Sequence, residues 1–315
     1  MNNQIRTTLL LAAMTVLLVL IGNMLGGRQG VIIAFIMAIG MNFFSYWFSD
    51  KIVLRMYRAQ EVSPDQSPEL YQMVKTLAQR AELPIPKIFI IPKDAPNAFA
   101  TGRNPAHAVV AVSRGLLDIM DRDEVMGVLA HELAHVKNRD ILIGSIAATM
   151  AGAVMIIANM ARYSSMFRGG RNGGRGGGIG VLIMSLVAPF GAMIIQMAVS
   201  RSREYLADAT GAKFAQSPEG LAGALEKLGS YSGRRPMNAN AATAHMFIVN
   251  PLSGSSMMRL FSTHPPLEER ISRLRGMSGG YRPPSSPEGP GSSNSGSDRD
   301  SNTNRGRSEW DRLSG

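Results

Sequence analysis

"HELAHVKNRD", residues 131–140, places two histidines four positions apart, with a glutamate directly after the first. Four helical residues turn through about 400°, so His131 and His135 would lie on one helix face, about 6 Å apart along the axis. They could then share one metal ion. Glu132 would lie about 100° further round, where it can reach a water molecule at the metal without binding the metal itself. This H-E-x-x-H spacing is typical of zinc peptidases, in which the glutamate takes a proton from that water. A structural histidine pair on a core helix remains the alternative.

A third ligand has to come from another part of the chain. The sequence has no cysteine, so His, Asp or Glu must hold any metal. Tetrahedral zinc with one open position needs three protein ligands. The segment "SREYLAD" offers Glu204 and, four residues on, Asp208. In such a pair the glutamate binds zinc and the aspartate orients a ligand histidine. The alternative is a solvated acidic face paired with Arg201 or Arg203.

His264 is the third histidine of interest. It lies in "STHPPLEER", where the two prolines that follow restrict the backbone. A histidine fixed in this way can donate a hydrogen bond to the oxyanion of a tetrahedral intermediate. Considered alone, the residue fits a capping or loop-packing role equally well.

Four stretches without any charged residue are each long enough to cross a bilayer, since about 20 helical residues span roughly 30 Å. The first could be a cleaved signal peptide, but a second run begins directly after Arg28, which favours a helical hairpin. We therefore predict a transmembrane hairpin over residues 1–50. The four runs cover residues 7–27, 29–49, 141–161 and 176–200.

The positive charges around the first two runs predict their orientation. Arg6 precedes the first run and several basic residues follow the second, while Arg28 alone lies between them. This bias puts both ends of the hairpin in the cytoplasm. The loop between the last two runs is also rich in arginine, which is unfavourable for export. That pair therefore either spans the membrane or packs against it.

The net charge of +10 does not indicate nucleic-acid binding. Much of the excess flanks apolar runs, and no basic stripe alternates with aromatic residues, so we expect contact with a lipid bilayer and no nucleic-acid partner. The tail over residues 276–315 carries five arginines against five acidic residues. It is rich in Ser, Gly and Pro and poor in apolar residues, and we predict it to be disordered.

The soluble part reads as mainly α with a small β-sheet, an α+β fold. A helix is predicted to begin at Ser67 and Pro68, and three short apolar segments, "KIFIIP", "NAFAT" and "HAVVAVS", predict strands. Asp121 and Glu124 form a capping-box pattern that begins the helix carrying the H-E-x-x-H motif. This domain is predicted over residues 51–275, interrupted by the third and fourth apolar runs.

Four segments together resemble the HtpX family of membrane-bound zinc peptidases, relatives of the Ste24 CAAX-type proteases. The resemblance covers all of the chain except the tail, and its second and third segments are the most specific in combination. The segments are "NAFATG" (97–102), "GLLDIMDRDEVMGVLAHELAHVKNRD" (115–140), "SRSREYLAD" (200–208) and "STHPPLEERI" (262–271).

The resemblance implies a zincin-like domain combined with transmembrane helices, and one Zn²⁺ per chain. It assigns zinc binding to His131, His135 and Glu204, with Glu132 as the catalytic base. It further implies that Asp208 and Arg270 support the site and that His264 takes part in catalysis. The strand Asn97, Ala98, Phe99 and Ala100 would face the substrate, which it could bind as an added β-strand. An ordinary interior strand is the alternative.

The function implied is that of a multi-pass protease in a bacterial inner membrane, with its active site facing the cytoplasm. Its substrates would be misfolded or damaged membrane proteins, or other unfolded polypeptides. One alternative is a peptidase for a dedicated precursor or prenylated peptide. Another is a catalytically silent membrane scaffold stabilised by zinc, although Glu132 would then have no purpose.

Overall fold

The computed structural model describes residues 3–168, 200–234, 246–249 and 265–278. Eight helices and four strands are named below in chain order. The helices are α1 (Asn3–Tyr57), α2 (Pro68–Arg80), α3 (Arg114–Ile119), α4 (Arg122–Lys137), α5 (Ile141–Arg168), α6 (Arg201–Ala215), α7 (Glu219–Arg234) and α8 (Leu267–Ser278). The strands are β1 (Gln60–Glu61), β2 (Lys87–Ile91), β3 (Ala98–Thr101) and β4 (Val109–Ser113).

Helix α1 is a hairpin of two long apolar arms. Gly26 and Gly27 have non-helical backbone angles and form the bend. Gly22 and Gly30 then lie so close that a Cβ on either residue would collide with the backbone carbonyl of the other. Further along the arms, Asn42 Nδ2 donates a hydrogen bond to Thr15 Oγ1 (2.9 Å). Within the described residues, α1 is the one helix long and apolar enough to cross a membrane.

Helix α5 contains the third apolar run. Its first half is covered by protein, since Ile146, Ala147 and Met150 pack against Leu10 and Met14 of the first α1 arm. Whether residues 141–161 span the bilayer stays a prediction. The fourth run lies outside the described residues, apart from Ser200.

The sheet has four strands in the order β1-β2-β4-β3. Strands β2 and β4 are parallel, while β1 and β3 pair antiparallel at the two edges. The three strands predicted from the apolar segments are β2, β3 and β4, and the α+β fold class is confirmed. The two-residue strand β1, with both residues exposed, had no apolar pattern to reveal it. Among the described residues, β3 lies at one edge of the sheet and is not an interior strand.

Two helix starts can be compared with the sequence. Helix α4 begins with the predicted capping box, because Asp121 Oδ1 accepts from Glu124 N (3.0 Å) and Glu124 Oε2 accepts from Asp121 N (2.9 Å). Helix α2 begins at Pro68 as predicted, but the Ser67 side chain makes no capping hydrogen bond.

Helix α4 lies between the sheet and helices α6 and α7 and contacts all of them. Gly211 permits the contact with α6, because a Cβ there would lie only 2.9 Å from the backbone nitrogen of His131. Contacts this short are incompatible with a side chain unless one helix moves. This glycine therefore fixes how close α6 can come to the motif on α4.

We expect Gly211→Ala to separate α4 from α6 and to lower the free energy of unfolding by about 1–3 kcal/mol, as overpacking does. For a domain of this size the loss corresponds to a fall of about 3–10 °C in Tm, measured in detergent. Gly40→Ala is the control, because a Cβ at Gly40 meets no atom within 4 Å. Equal Tm values for the two variants would contradict the close helix contact.

Candidate metal centre

Three side chains from two helices converge on one point. His131 and His135 project from the same face of α4, with their Nε2 atoms 3.2 Å apart. Glu204, in the first turn of α6, has one carboxylate oxygen 3.8 Å from His131 Nε2 and the other 3.6 Å from His135 Nε2. One candidate ligand atom from each residue lies within 4.8 Å of the other two.

The remaining ring nitrogen of each histidine contacts a carboxylate. His131 Nδ1 lies 3.0 Å from Asp208 Oδ1, and His135 Nδ1 lies 3.2 Å from Asp140 Oδ2. A carboxylate at Nδ1 holds the proton there and leaves the lone pair on Nε2. With both rings neutral, two Nε2 lone pairs and a carboxylate face one another, an arrangement that a metal ion between them would stabilise.

The donor set fits zinc. Ligand bonds of about 2.0–2.2 Å in tetrahedral geometry put ligand atoms roughly 3.3–3.6 Å apart. The three distances among His131, His135 and Glu204 lie close to that range. With a fourth position left open, this set can hold an ion that also contacts a substrate or water.

Glu132 lies beside this cluster and bonds to the sheet. Its Oε2 accepts a hydrogen bond from the backbone N–H of Ala100 in β3 (2.8 Å). Burial raises the pKa of Glu132, while the charges of His131 and His135 and the Ala100 N–H act in the opposite direction. A carboxylate held this way is oriented toward the metal centre and can accept a proton there.

Asp208 and Arg270 form a buried pair behind His131. Arg270 is fully buried, and its Nε and Nη2 donate to the two oxygens of Asp208 at 2.9 and 2.7 Å. Burial would raise the pKa of Asp208, but the hydrogen bonds from His131 and Arg270 outweigh it and lower that pKa to about 2. Asp208 therefore stays ionised and orients His131.

The burial of Glu204 and Asp208 excludes a solvated acidic face. The two side chains belong to residues that are only 7% and 3% exposed. Arg203 Nη1 instead lies 3.7 Å from Asp140.

Asp140 was not identified as a site residue from the sequence. Arg139 has a left-handed backbone (φ 58°), and this turn directs Asp140 back toward His135. Burial alone would lower the pKa of His135, but the Asp140 hydrogen bond and the charges of Glu204 and Glu132 raise it to about 9. The only sequence signal was an acidic residue five positions after His135, directly before an apolar run.

The four residues predicted to face the substrate, Asn97 to Ala100, do not all line the cavity. Phe99 and Ala100 line an open cavity that also contains the candidate metal ligands. Asn97 and Ala98 are buried, and Asn97 Oδ1 accepts from the backbone N–H of Ile248 (3.4 Å). Arg270 Nη1 donates to the carbonyl of the same Ile248 (3.2 Å). His264 lies outside the described residues.

The cavity wall is apolar apart from the metal centre and its charged neighbours. The first turn of α5 and the short segment 246–249 supply most of it. The apolar lining residues are Phe99, Ala100, Ile141, Gly144, Met246, Phe247 and Ile248.

This combination of a two-histidine helix, a carboxylate ligand from a second helix and a neighbouring glutamate base is that of a metallopeptidase. The family model of Peptidase family M48 matches residues 64–278, and the chain belongs to that family. It is a metalloprotease, and the resemblance to the HtpX family is confirmed.

Curated relatives are similar in sequence over nearly the whole chain. A "Protease HtpX homolog" of Desulforapulum autotrophicum is 60% identical over 99% of this chain and 100% of the relative. Another, of Desulfatibacillum aliphaticivorans, is 64% identical over 91% of this chain and 94% of the relative. The crystal structure of S. mikatae Ste24p aligns at 21% identity, covering 77% of this chain and 57% of that chain, with a TM-score of 0.44.

We expect Asp140→Ala to weaken zinc binding by about 10–100-fold, because His135 loses the group that orients its ring. Asp140→Asn retains an acceptor oxygen and should lie between wild type and alanine. Competition with a chromophoric chelator measures the affinity directly. Asp65→Ala, at an exposed position ahead of α2, is the control. An unchanged affinity in Asp140→Ala would remove this residue from the metal centre.

Proposed function

We propose that this chain is a membrane-anchored, zinc-dependent endopeptidase that cleaves misfolded or damaged membrane proteins at the cytoplasmic face of a bacterial inner membrane. The carrying observation is that a buried carboxylate, Glu132, lies beside the cluster of His131, His135 and Glu204 without belonging to it. Burying a carboxylate is costly, and zinc held for stability alone gains nothing from it. This argues against a silent scaffold.

Each residue would have a distinct role. His131, His135 and Glu204 would hold zinc, which when bound polarises the scissile carbonyl and makes water more acidic. Glu132 accepts a proton as the water oxygen bonds to the carbonyl carbon. It then delivers that proton to the leaving amine as the C–N bond breaks. The Ala100 N–H keeps its carboxylate in position.

Two further groups would support this chemistry. Asp208, paired with Arg270, holds His131 in the tautomer that a metal needs. His264 would donate a hydrogen bond to the oxyanion, a role that rests on its place before two prolines in the sequence.

The surface of α1 supports membrane anchoring. Its second arm exposes a dense apolar face that water would solvate poorly, including Ile36 and Met37, each 64% exposed. Aromatic residues follow, ending near Trp47, and Lys51, Arg55 and Arg58 come next. Aromatic rings at the interface and basic residues beyond them are typical of the cytoplasmic end of a span.

The domain plan remains part of the proposal. Residues 1–50 would form the hairpin anchor, residues 51–275 the peptidase interrupted by two apolar segments, and residues 276–315 a disordered tail. Membrane proteins and unfolded polypeptides would be the partners, with no nucleic acid. A protease of broad range is favoured over one for a dedicated precursor or prenylated peptide, because the cavity is open to solvent.

We expect Glu132→Gln to lower kcat for casein in detergent by about 10²–10⁴-fold, because the general base is lost. Zinc content, measured by elemental analysis, should stay at the wild-type level, since Glu132 is not a ligand. The control is Glu82→Gln, a substitution at an exposed glutamate outside the cavity, which should behave as wild type. Normal cleavage by a zinc-loaded Glu132→Gln enzyme would refute the proposed mechanism.

A further inference from the structure

Strand β3 and the residues that follow it lie along the cytoplasmic end of α1 and run in the opposite direction. The rings of Phe99 and Tyr57 are 5.1 Å apart, and the Arg103 guanidinium lies 5.2 Å from the ring of Trp47. From Trp47 to Tyr57 the helix rises about 15 Å. From Phe99 to Arg103 the backbone covers at most about 13 Å, because the strand ends at Thr101 and Gly102 has φ 134°. The two contacts together show that the chain leaving β3 runs toward Trp47.

Trp47 marks the bilayer side of this arrangement. It follows the exposed aromatic residues Phe43, Phe44 and Tyr46, and the basic residues come only after it. Tryptophan is enriched at the membrane interface. Thr101, at the end of β3, also shares a hydrogen bond with Ser145 of α5 (2.6 Å), where α5 begins to pack on the membrane hairpin. The C-terminal end of β3 therefore points toward the bilayer.

The catalytic carboxylate lies close to that end. Glu132 accepts from the Ala100 N–H, and Ala100 is three residues before Arg103, a distance of at most about 10 Å along the chain. Ile141 and Gly144, next to Ser145 in α5, line the same cavity. A peptide bond in this site would thus be cut about 10 Å from the bilayer surface.

The outer edge of β3 faces the site. Ala100 pairs with Val110 of β4, while its N–H points away from β4 and donates to Glu132, so this edge borders the cavity. No strand among the described residues pairs with it. A substrate that adds to this edge in antiparallel pairing, the commoner and better-bonded arrangement, runs from the Thr101 end to the Asn97 end. Its N-terminal residues then lie at the bilayer.

We infer that the substrate is a cytoplasmic segment that directly follows a transmembrane span, cut within the first few residues after the chain leaves the bilayer. This inference rests on the proposed function of the site and adds the direction in which the substrate chain runs through it. A segment that precedes a span would reach the edge in the wrong direction, with only about three extended residues in which to turn round. The apolar cavity wall suits the apolar residues found at the ends of spans.

The direction can be tested with two single-span proteins, each reconstituted in proteoliposomes together with the full-length enzyme. Both carry the same segment, chosen because the enzyme cuts it in casein, with the scissile bond equally close to the bilayer. In one protein the segment follows the span, and in the other it precedes the span. Both present it on the side of the enzyme's active site, as verified by accessibility to trypsin. We expect cleavage to be at least 10-fold faster when the segment follows the span.

A 20-residue Gly/Ser linker between span and segment is the matched control. Such a linker has a typical end-to-end distance of about 25 Å, so either chain can turn round and the two rates should become equal. Equal rates without the linker, a preference for the preceding segment, or no cleavage of either protein by an enzyme that still cuts casein would each overturn the inference. Loss of casein cleavage as well would instead refute the proposed function.

Discussion

The structure depends on the convergence of two imidazole rings and one carboxylate on a single point, where a cation can bind all three. The Nε2 atoms of His131 and His135 are 3.2 Å apart, with the Glu204 carboxylate less than 4 Å from each. Asp208 and Asp140, at the far ring nitrogens, keep both lone pairs directed inward. A cation at this point would accept the lone pairs of both rings and neutralise the Glu204 carboxylate, which lowers the cost of burying these groups. Because the ligands come from both α4 and α6, metal binding requires these two helices to pack together.

The apolar helix α5 is connected to that same cluster. Helix α4 ends in a left-handed turn at Arg139, Asp140 contacts His135, and α5 begins at the next residue. Arg203, next to the ligand Glu204, lies 3.7 Å from Asp140. Elements on both sides of the apolar segments thus meet at one aspartate. This explains how a polar, metal-binding motif can lie directly beside an apolar helix.

Local patterns in the sequence predicted local geometry well. The helical spacing of His131 and His135, and of Glu204 and Asp208, is a property of the α-helix itself and needs no tertiary information. The capping box at Asp121 and the three apolar strands were also predictable, because each depends on residues close together in the sequence. That α4 and α6 come together was inferred from chemistry, because zinc needs a third ligand.

Contacts set by turns and distant segments could not be predicted from the residues themselves. Asp140 reaches His135 only because Arg139 adopts a left-handed conformation, for which arginine gives no signal. Arg270 bonds to Asp208 across 62 residues and was indicated by the family resemblance alone. The burial of Asn97 depends on segment 246–249, whose backbone it binds.

X-ray absorption at the zinc edge tests the central claim most directly, with elemental analysis of the same purified samples. The account predicts one zinc per wild-type chain, bound by two imidazoles and one carboxylate at about 2.0–2.2 Å. In Glu204→Ala most of the zinc should be lost. A wild-type spectrum without two imidazole ligands, or full zinc occupancy in Glu204→Ala, would contradict a centre shared between α4 and α6.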